Sequence, residues 1–343
     1  MINLLLTLTA CSYQPATDVS EKTKEDTFAV EEPAEEVAGE EISEEEQEVT
    51  EEETELVEEE EEEIVQTIPL EDFSVTGPYA VSQTYGTTSV TDCSVITFLV
   101  YTPVGAIDPP LVVLGHGFAR GVDRMVGWAE HFSSWGVEVI LPTLCHYSIS
   151  QGIDHPMNGK NMKELAEWAG ATQVVYAGQS AGGLAAVIAA TLDDDALGVL
   201  GLDATDTENS YEVPDFIGQT YAPDVTSPAY FIRGEPSFCN SNNNGLTLAR
   251  MVPSHRIIKV VGSDHCDYEN PTDLMCEVSC QNSQAVFSDT EIKPVITALS
   301  TAAIMSFTGL SEDGSRTWTQ EGISDWKSIG IVQDLEVQTT QLQ

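Results

Sequence analysis

Gln173-Val-Val-Tyr-Ala177-Gly178-Gln179-Ser180-Ala181-Gly182-Gly183 is the stretch from which the fold is read. Its first five residues form a short apolar run of the kind that fills a buried strand. An Ala-rich segment of helical character then runs from Ala181 to about Leu192. Between the two lies G-x-S-x-G. A serine on a sharp strand-to-helix turn needs small neighbours, because its backbone is strained and the elements on either side approach closely. Gly178 and Gly182 occupy those places, with Gln179 as the intervening residue, so Ser180 is the candidate nucleophile. A helix beginning at Ala181 also directs its free N–H groups and dipole at any negative charge that develops beside the serine.

Working outward, β-type runs at 94–101, 111–114, 137–141, 173–177, 197–202, 229–232 and 257–261 are interleaved with helical patterns at 122–135, 160–169, 181–192 and 291–307. This alternation predicts an α/β fold with a mostly parallel central sheet covered by helices on both faces. There is no internal repeat, and residues 317–343 show no pattern that places them.

Upstream of the serine, Leu111-Val-Val-Leu-Gly115-His116-Gly117-Phe118 is a strand entering an H-G turn, where a second oxyanion donor would be found. The expected donors are the backbone N–H groups of Phe118 and Ala181. Of six histidines, His265 alone follows every plausible acid and sits on a loop after the last expected strand, so it is the candidate general base in the order Ser, acid, His. His116 belongs to the turn, His131 to a helix, His146 and His155 to a loop, and His255 precedes a strand. For the acid, Asp203 closes the run 197–202 and is preferred. Asp206 and Glu235 are alternatives, Glu235 lying after the next expected strand, 229–232.

Charge and cysteines constrain the setting. The 343 residues hold 13 Lys and Arg against 57 Asp and Glu, a formal charge of −44. Residues 12–63 carry 24 of the acids and two lysines, so half the net charge lies in about a seventh of the chain. Like charges at this density keep a segment extended, and 12–66 reads as a disordered acidic linker. A chain this negative repels phosphate backbones, which excludes a nucleic-acid partner. No apolar run reaches the roughly 18 residues needed to span a bilayer. Met1 to Ala10 is apolar and ends in Leu8-Thr9-Ala10-Cys11, which resembles a bacterial lipobox with Cys11 as the lipidated residue. The run lacks a basic n-region, pointing to a start further upstream. Ser12 after the cysteine indicates the outer membrane, so membrane contact is expected only through a lipid anchor. Cys93, Cys145, Cys239, Cys266, Cys276 and Cys280 form an even set, consistent with up to three disulfides in an oxidising compartment. No C-x₂-C pair is present, so a zinc site is not expected.

Taken together, His116-Gly-Phe118, the stretch Trp128 to Pro142 with Gly136 before a strand, Gly178-Gln-Ser-Ala-Gly-Gly183 and Gly201-Leu-Asp203 resemble the α/β-hydrolase superfamily. Within it the chain is most similar to chlorophyllase-like esterases, neighbours of the bacterial cutinases and polyester hydrolases. The resemblance covers about residues 75–310. In chlorophyllase-like members the acid lies in a G-[IL]-D segment, which supports Asp203. Similar bacterial proteins carry an H-C-D-x-E-x-P-T-D run and two cysteines, matched by His265 to Asp273 with Cys276 and Cys280. Plant chlorophyllases have His and Arg where this chain has Gln179 and Ala181, which argues against chlorophyll as substrate.

The resemblance implies a monomeric, exported serine esterase with a Ser180–His265–Asp203 triad, acting on small-molecule or lipid-like esters without metal or cofactor. A bridge such as Cys239–Cys266 would brace the His265 loop. Two other readings compete. A polyester hydrolase would need an aromatic platform, for which Phe118, Trp128 and Tyr147 are candidates. A non-catalytic binding lipoprotein on the same scaffold would lack one of the three triad residues. A serine peptidase of this fold usually adds a propeller or cap domain, for which there is no room.

Overall fold

The computed structural model describes residues 70–148, 150, 152–208, 216–280 and 286–338, all within the second of the two units into which the chain divides, Gln66–Gln343. Cys11 and the acidic segment 12–66 lie outside the described residues.

Eleven strands are described: β1 Val81–Val90, β2 Cys93–Pro103, β3 Leu111–Gly115, β4 Glu138–Pro142, β5 Tyr147–Ser148, β6 Gly152–Ile153, β7 Val174–Gln179, β8 Ala196–Leu202, β9 Ala229–Arg233, β10 His255–Val260 and β11 Val332–Gln338. The α-helices are α1 Val126–Ser134, α2 His155–Trp168, α3 Ala181–Thr191, α4 Ile217–Tyr221, α5 Gly245–Met251, α6 Leu274–Cys280, α7 Asp289–Thr308, α8 Glu312–Thr317 and α9 Ser324–Ser328. Nine strands form one sheet in the order β1-β2-β4-β3-β7-β8-β9-β10-β11, and β5 and β6 form a small separate hairpin. Pairing is parallel from β4 through β10 and antiparallel at β1/β2, β2/β4 and β10/β11. The protein is therefore an α/β protein with a large, mostly parallel central sheet.

The side-chain period of two along each strand divides the core between the two faces. On β3, Val112 and Leu114 join the cluster that includes Trp128 and Phe132 of α1 and Ile296 and Leu299 of α7. Leu111 and Val113 join the opposite cluster, with Met162 and Leu165 of α2 and Leu184 and Ile188 of α3. Both faces of the central strands are buried, which is why β3, β4 and β7 read as continuous apolar runs rather than alternating ones.

Several expectations are corrected. The helix expected at 160–169 begins at His155, because Asp154 caps it by accepting the Met157 N–H at 2.9 Å and Pro156 suits a first turn. His155 is thus a buried helical residue, not a loop residue. The region 122–135 splits into a 3-10 turn and α1. The strand carrying His265 at its end is not the last one: β11 follows and pairs with it. The segment 317–343 supplies α9 and β11, with 339–343 outside the described residues. β1, mostly exposed and rich in Ser, Thr and Gln, is an edge strand with no apolar signal. Among the described residues no helix is long and apolar enough to cross a membrane.

β3 lies between β4, the next strand of the sheet in chain order, and β7, the one after it, so the winding direction reverses at β3. In an open α/β sheet the crevice outside the strand C-termini at such a switch point is where ligands bind. The loops leaving β3, β7, β8, β9 and β10 all emerge at that edge.

Candidate active site

Ser180 joins β7 to α3 with φ 56° and ψ −122°, a left-handed backbone region that non-glycine residues rarely enter. Its main chain is pinned on both sides. The N–H donates to Leu202 O at 3.0 Å, and the carbonyl accepts from Gly183, Leu184 and Thr205 N–H groups. The bend presses Gly178 and Gly182 together. A Cβ on Gly178 would lie 2.3 Å from the carbonyl carbon of Gly182, and one on Gly182 would lie 2.4 Å from Gly115 O. These positions admit no side chain, which accounts for the small residues around the serine.

Gly117 packs directly over this bend, its Cα hydrogen pointing toward Gln179 Oε1 and Ser180 Cβ. The backbone N–H groups of Phe118 and Ala181 have no protein acceptor among the described residues. Beneath this turn, His116 is fully buried, with Nδ1–H donating to Gly117 O at 2.9 Å and Nε2 accepting the Leu144 N–H at 3.1 Å. Burial lowers its pKa to about 4, outweighing the opposing Gly117 bond and Asp123, so it is a neutral strut of the turn.

The candidate acid and base lie on the segments that follow β8 and β10. His265 opens a one-turn 3-10 segment capped by Asp264, whose carboxylate accepts the Cys266 N–H at 2.8 Å while Asp267 accepts the Asp264 N–H at 2.8 Å. This turn directs His265 Nδ1–H to Asp203 Oδ2 at 2.6 Å. Asp203, fully buried at the end of β8, also accepts from Gly234 N–H and Asn240 Nδ2–H, each at 3.1 Å. Burial alone would raise its carboxyl pKa. The Arg233 guanidinium 3.6 Å away, the His265 bond and the Gly234 amide outweigh that penalty and hold it below the usual carboxylate range. Burial pulls Arg233 down, with Asp203 opposing, and a guanidinium remains protonated in any case. Asp203 is therefore an ionised acceptor for the His265 Nδ1–H.

Ser180 and His265 are not directly hydrogen-bonded. Ser180 Oγ is 3.4 Å from Thr205 Oγ1, and His265 Nε2 is 3.2 Å from the Gln179 amide nitrogen, which also reaches His265 O at 3.4 Å. The lone pair of the imidazole is occupied by Gln179, and Gln179 Oε1 is buried without a partner. Thr205, Gln179 as a donor, Asn240 and Arg233 were not singled out for these contacts by the sequence. Thr205 follows Gly201-Leu-Asp203 closely and Gln179 precedes the serine, so proximity to the motifs was the one available signal.

Asp206 and Glu235 are engaged elsewhere. Asp206 accepts the N–H groups of Thr207, Gly218 and Gln219 and so fastens the start of α4. Glu235 accepts the Gly262 N–H at 3.1 Å and pairs with Lys259 at 2.6 Å. Among the aromatic candidates, Phe118 is partly exposed beside the serine turn, and Tyr147 meets His116 edge-on. Trp128 is a core residue, with Nε1–H donating to Tyr268 O at 2.9 Å, so it offers no platform.

The disulfides are Cys93–Cys145, Cys239–Cys280 and Cys266–Cys276, so the Cys239–Cys266 pairing is incorrect. α6 supplies the reason: its first turn reaches Cys266 and its end reaches Cys239, which braces the His265 turn through a different partner. The sulfurs of Cys266, Cys276 and Cys280 lie within 4.8 Å of one another, but bonded as disulfides they offer no thiolate to a metal.

Comparison with protein-family models and with curated proteins gives no match.

The run from His265 to Asp273 also contacts the turn after β3. Arg120, just after the Phe118 turn, forms a two-point bond with Glu269 at 2.6 and 2.7 Å and reaches Asp273 at 3.0 Å. Arg124 pairs with Asp273, and Asn270 exchanges backbone hydrogen bonds with Arg124 and Gly127. The turn after β3 and the loop after β10 are thereby locked to each other.

Proposed function

We propose that the chain is a serine carboxylic-ester hydrolase of the α/β-hydrolase type, resembling chlorophyllase-like and cutinase-like esterases. The observation that carries this reading is the left-handed Ser180 at the β7–α3 bend beside an imidazole whose Nδ1–H is held by a buried, ionised Asp203. In the reaction, Ser180 Oγ rotates from Thr205 to His265 Nε2, displacing the Gln179 amide. Apo structures commonly show this bond unformed. As Oγ attacks the ester carbonyl its proton passes to Nε2, and Asp203 stabilises the imidazolium. The Phe118 and Ala181 amides take the oxyanion. The alcohol leaves with the proton from Nε2; water, deprotonated by His265, then releases the acid and frees Ser180.

Three disulfides fit a chain that folds in an oxidising compartment, and with the lipobox-like Cys11 they support an exported, lipid-anchored enzyme. The substrates proposed are small or lipid-like esters. Partly exposed Phe118 beside the nucleophile turn favours, as a second reading, an aromatic polyester substrate.

A chain-length series of p-nitrophenyl esters tests the proposal. Ser180→Ala is expected to lower kcat/KM by at least about 10³-fold, and Asp203→Asn by about 10³–10⁴-fold, while Glu235→Gln stays near wild type. If wild type cleaves no ester, or Ser180→Ala remains fully active, the protein is a binding module or another kind of catalyst. A large loss confined to Glu235→Gln would move the acid to that residue.

A further inference from the structure

The segment Ser237-Phe-Cys239-Asn240-Ser-Asn-Asn243-Asn244 follows β9 and, through Asn240, touches Asp203. Its backbone is unusual. Ser241, Asn242 and Asn243 have φ values of 51°, 53° and 66°, three successive non-glycine residues in the left-handed region. Such a run persists where its surroundings over-determine it, and here the surroundings are the acid.

Asn240 is fully buried and uses its whole hydrogen-bonding capacity. Its Oδ1 accepts from Ser237 N–H at 2.8 Å and Asn243 N–H at 3.0 Å; its Nδ2 donates to Glu235 O at 2.8 Å and to Asp203 Oδ2 at 3.1 Å. These partners fix the orientation of the amide, since two N–H groups require an oxygen and a carboxylate beside a carbonyl requires a nitrogen. The next asparagines extend the grip. Asn243 Oδ1 accepts from the Arg233 guanidinium, which itself donates to Ala204 O. Asn244 exchanges two bonds with the main chain of Asp206, at 2.9 and 2.7 Å. The turn thus holds the end of β8 at 203, 204 and 206. Cys239 ties the turn to α6 through Cys280, and the same helix holds Cys266, next to His265, through Cys276.

We infer that Asn240, set by the left-handed Ser241–Asn243 turn, is a positioning residue for the acid of the proposed reaction. It donates to the same oxygen, Oδ2, that receives His265 Nδ1–H. A carboxylate rotates easily about its last torsion, which is broad and two-fold. With Gly234 N–H on Oδ1 and Asn240 on Oδ2, the plane of Asp203 is set before substrate arrives. The inference rests on the hydrolase reading and adds a residue to it.

The test uses the full-length oxidised chain with a short p-nitrophenyl ester, measuring kcat and KM from pH 5 to 9 alongside thermal unfolding. Asn240→Ala is expected to lower kcat about 10–100-fold, the loss of one charge-assisted hydrogen bond, with KM within about twofold. Asn240→Asp places a second carboxylate against Asp203. Its kcat relative to wild type should be lowest at high pH and climb as pH falls, because protonation restores an O–H donor. Thermal unfolding identifies any variant that fails to fold, and the pH ratio is read from whichever variant folds. An active wild type with an equally active Asn240→Ala overturns this inference alone, as does an Asn240→Asp ratio that is flat across pH. A wild type that cleaves no ester overturns the hydrolase reading and this one with it.

Discussion

His116 and His265 stand on neighbouring loops in opposite roles. Both rings carry hydrogen on Nδ1, but His116 passes it to a backbone carbonyl and accepts an amide on Nε2, whereas His265 passes it to a carboxylate. Burial disfavours the protonated ring of His116, which is why its pKa falls to about 4 from an ordinary 6.5. The unfolded chain takes up this proton below about pH 6.5 and the folded chain only near pH 4. Stability is therefore lost as pH falls through that window, by about 2–3 kcal/mol at pH 4.5. Asp267 works in the opposite sense, since burial raises its carboxyl to about 7 and costs stability as pH rises toward that value. A difference between variants isolates His116. In urea unfolding at pH 7 and 4.5, His116→Asn should lose less stability on acidification than wild type; equal losses would show that the ring's protonation is not linked to folding. At this scale the motif residues were legible because their demands are local: a serine bend needs glycines adjacent in sequence. Asn240, Arg233 and Thr205 were not, because each acts on a residue 25 to 37 positions away, and the sequence does not state which of many polar side chains lands there.

Elements with two apolar faces were legible for a related reason. β3 and β7 are buried throughout, and β4 and α3 at all but one end residue, a setting that a near-continuous hydrophobic run satisfies. β1 and the short helices α4, α5 and α6 carry weaker patterns, because their stability comes from the elements beside them. Between elements, the lock of the β3 turn to the loop after β10 depends on Arg120 and the nearly buried Glu269. Arg120→Met would leave the Glu269 carboxylate buried and unpaired, at an expected cost of about 2–4 kcal/mol. Adding Glu269→Gln should recover part of that loss, so the two changes are non-additive in a double-mutant cycle of denaturant midpoints. Additive effects would mean that the pair does not couple the loops.

For the whole molecule, disulfides and charge matter most. Cys93–Cys145 joins the antiparallel edge of the sheet to the loop after β4 across 52 positions, a closure that restrains the unfolded chain strongly. Replacing both cysteines by serine should lower stability by about 2–4 kcal/mol in non-reducing urea titrations; a change under about 0.5 kcal/mol would contradict that role. The densest half of the −44 charge precedes the described domain. By itself the sequence determined the α/β class and the glycine-flanked serine bend, because hydrophobic period and turn chemistry act between near neighbours. Only the tertiary structure decided which acid meets His265, which cysteines bond, and that Gln179 rather than Ser180 occupies the imidazole. Those choices depend on where the strand ends converge in space, and chain order carries no distance between them.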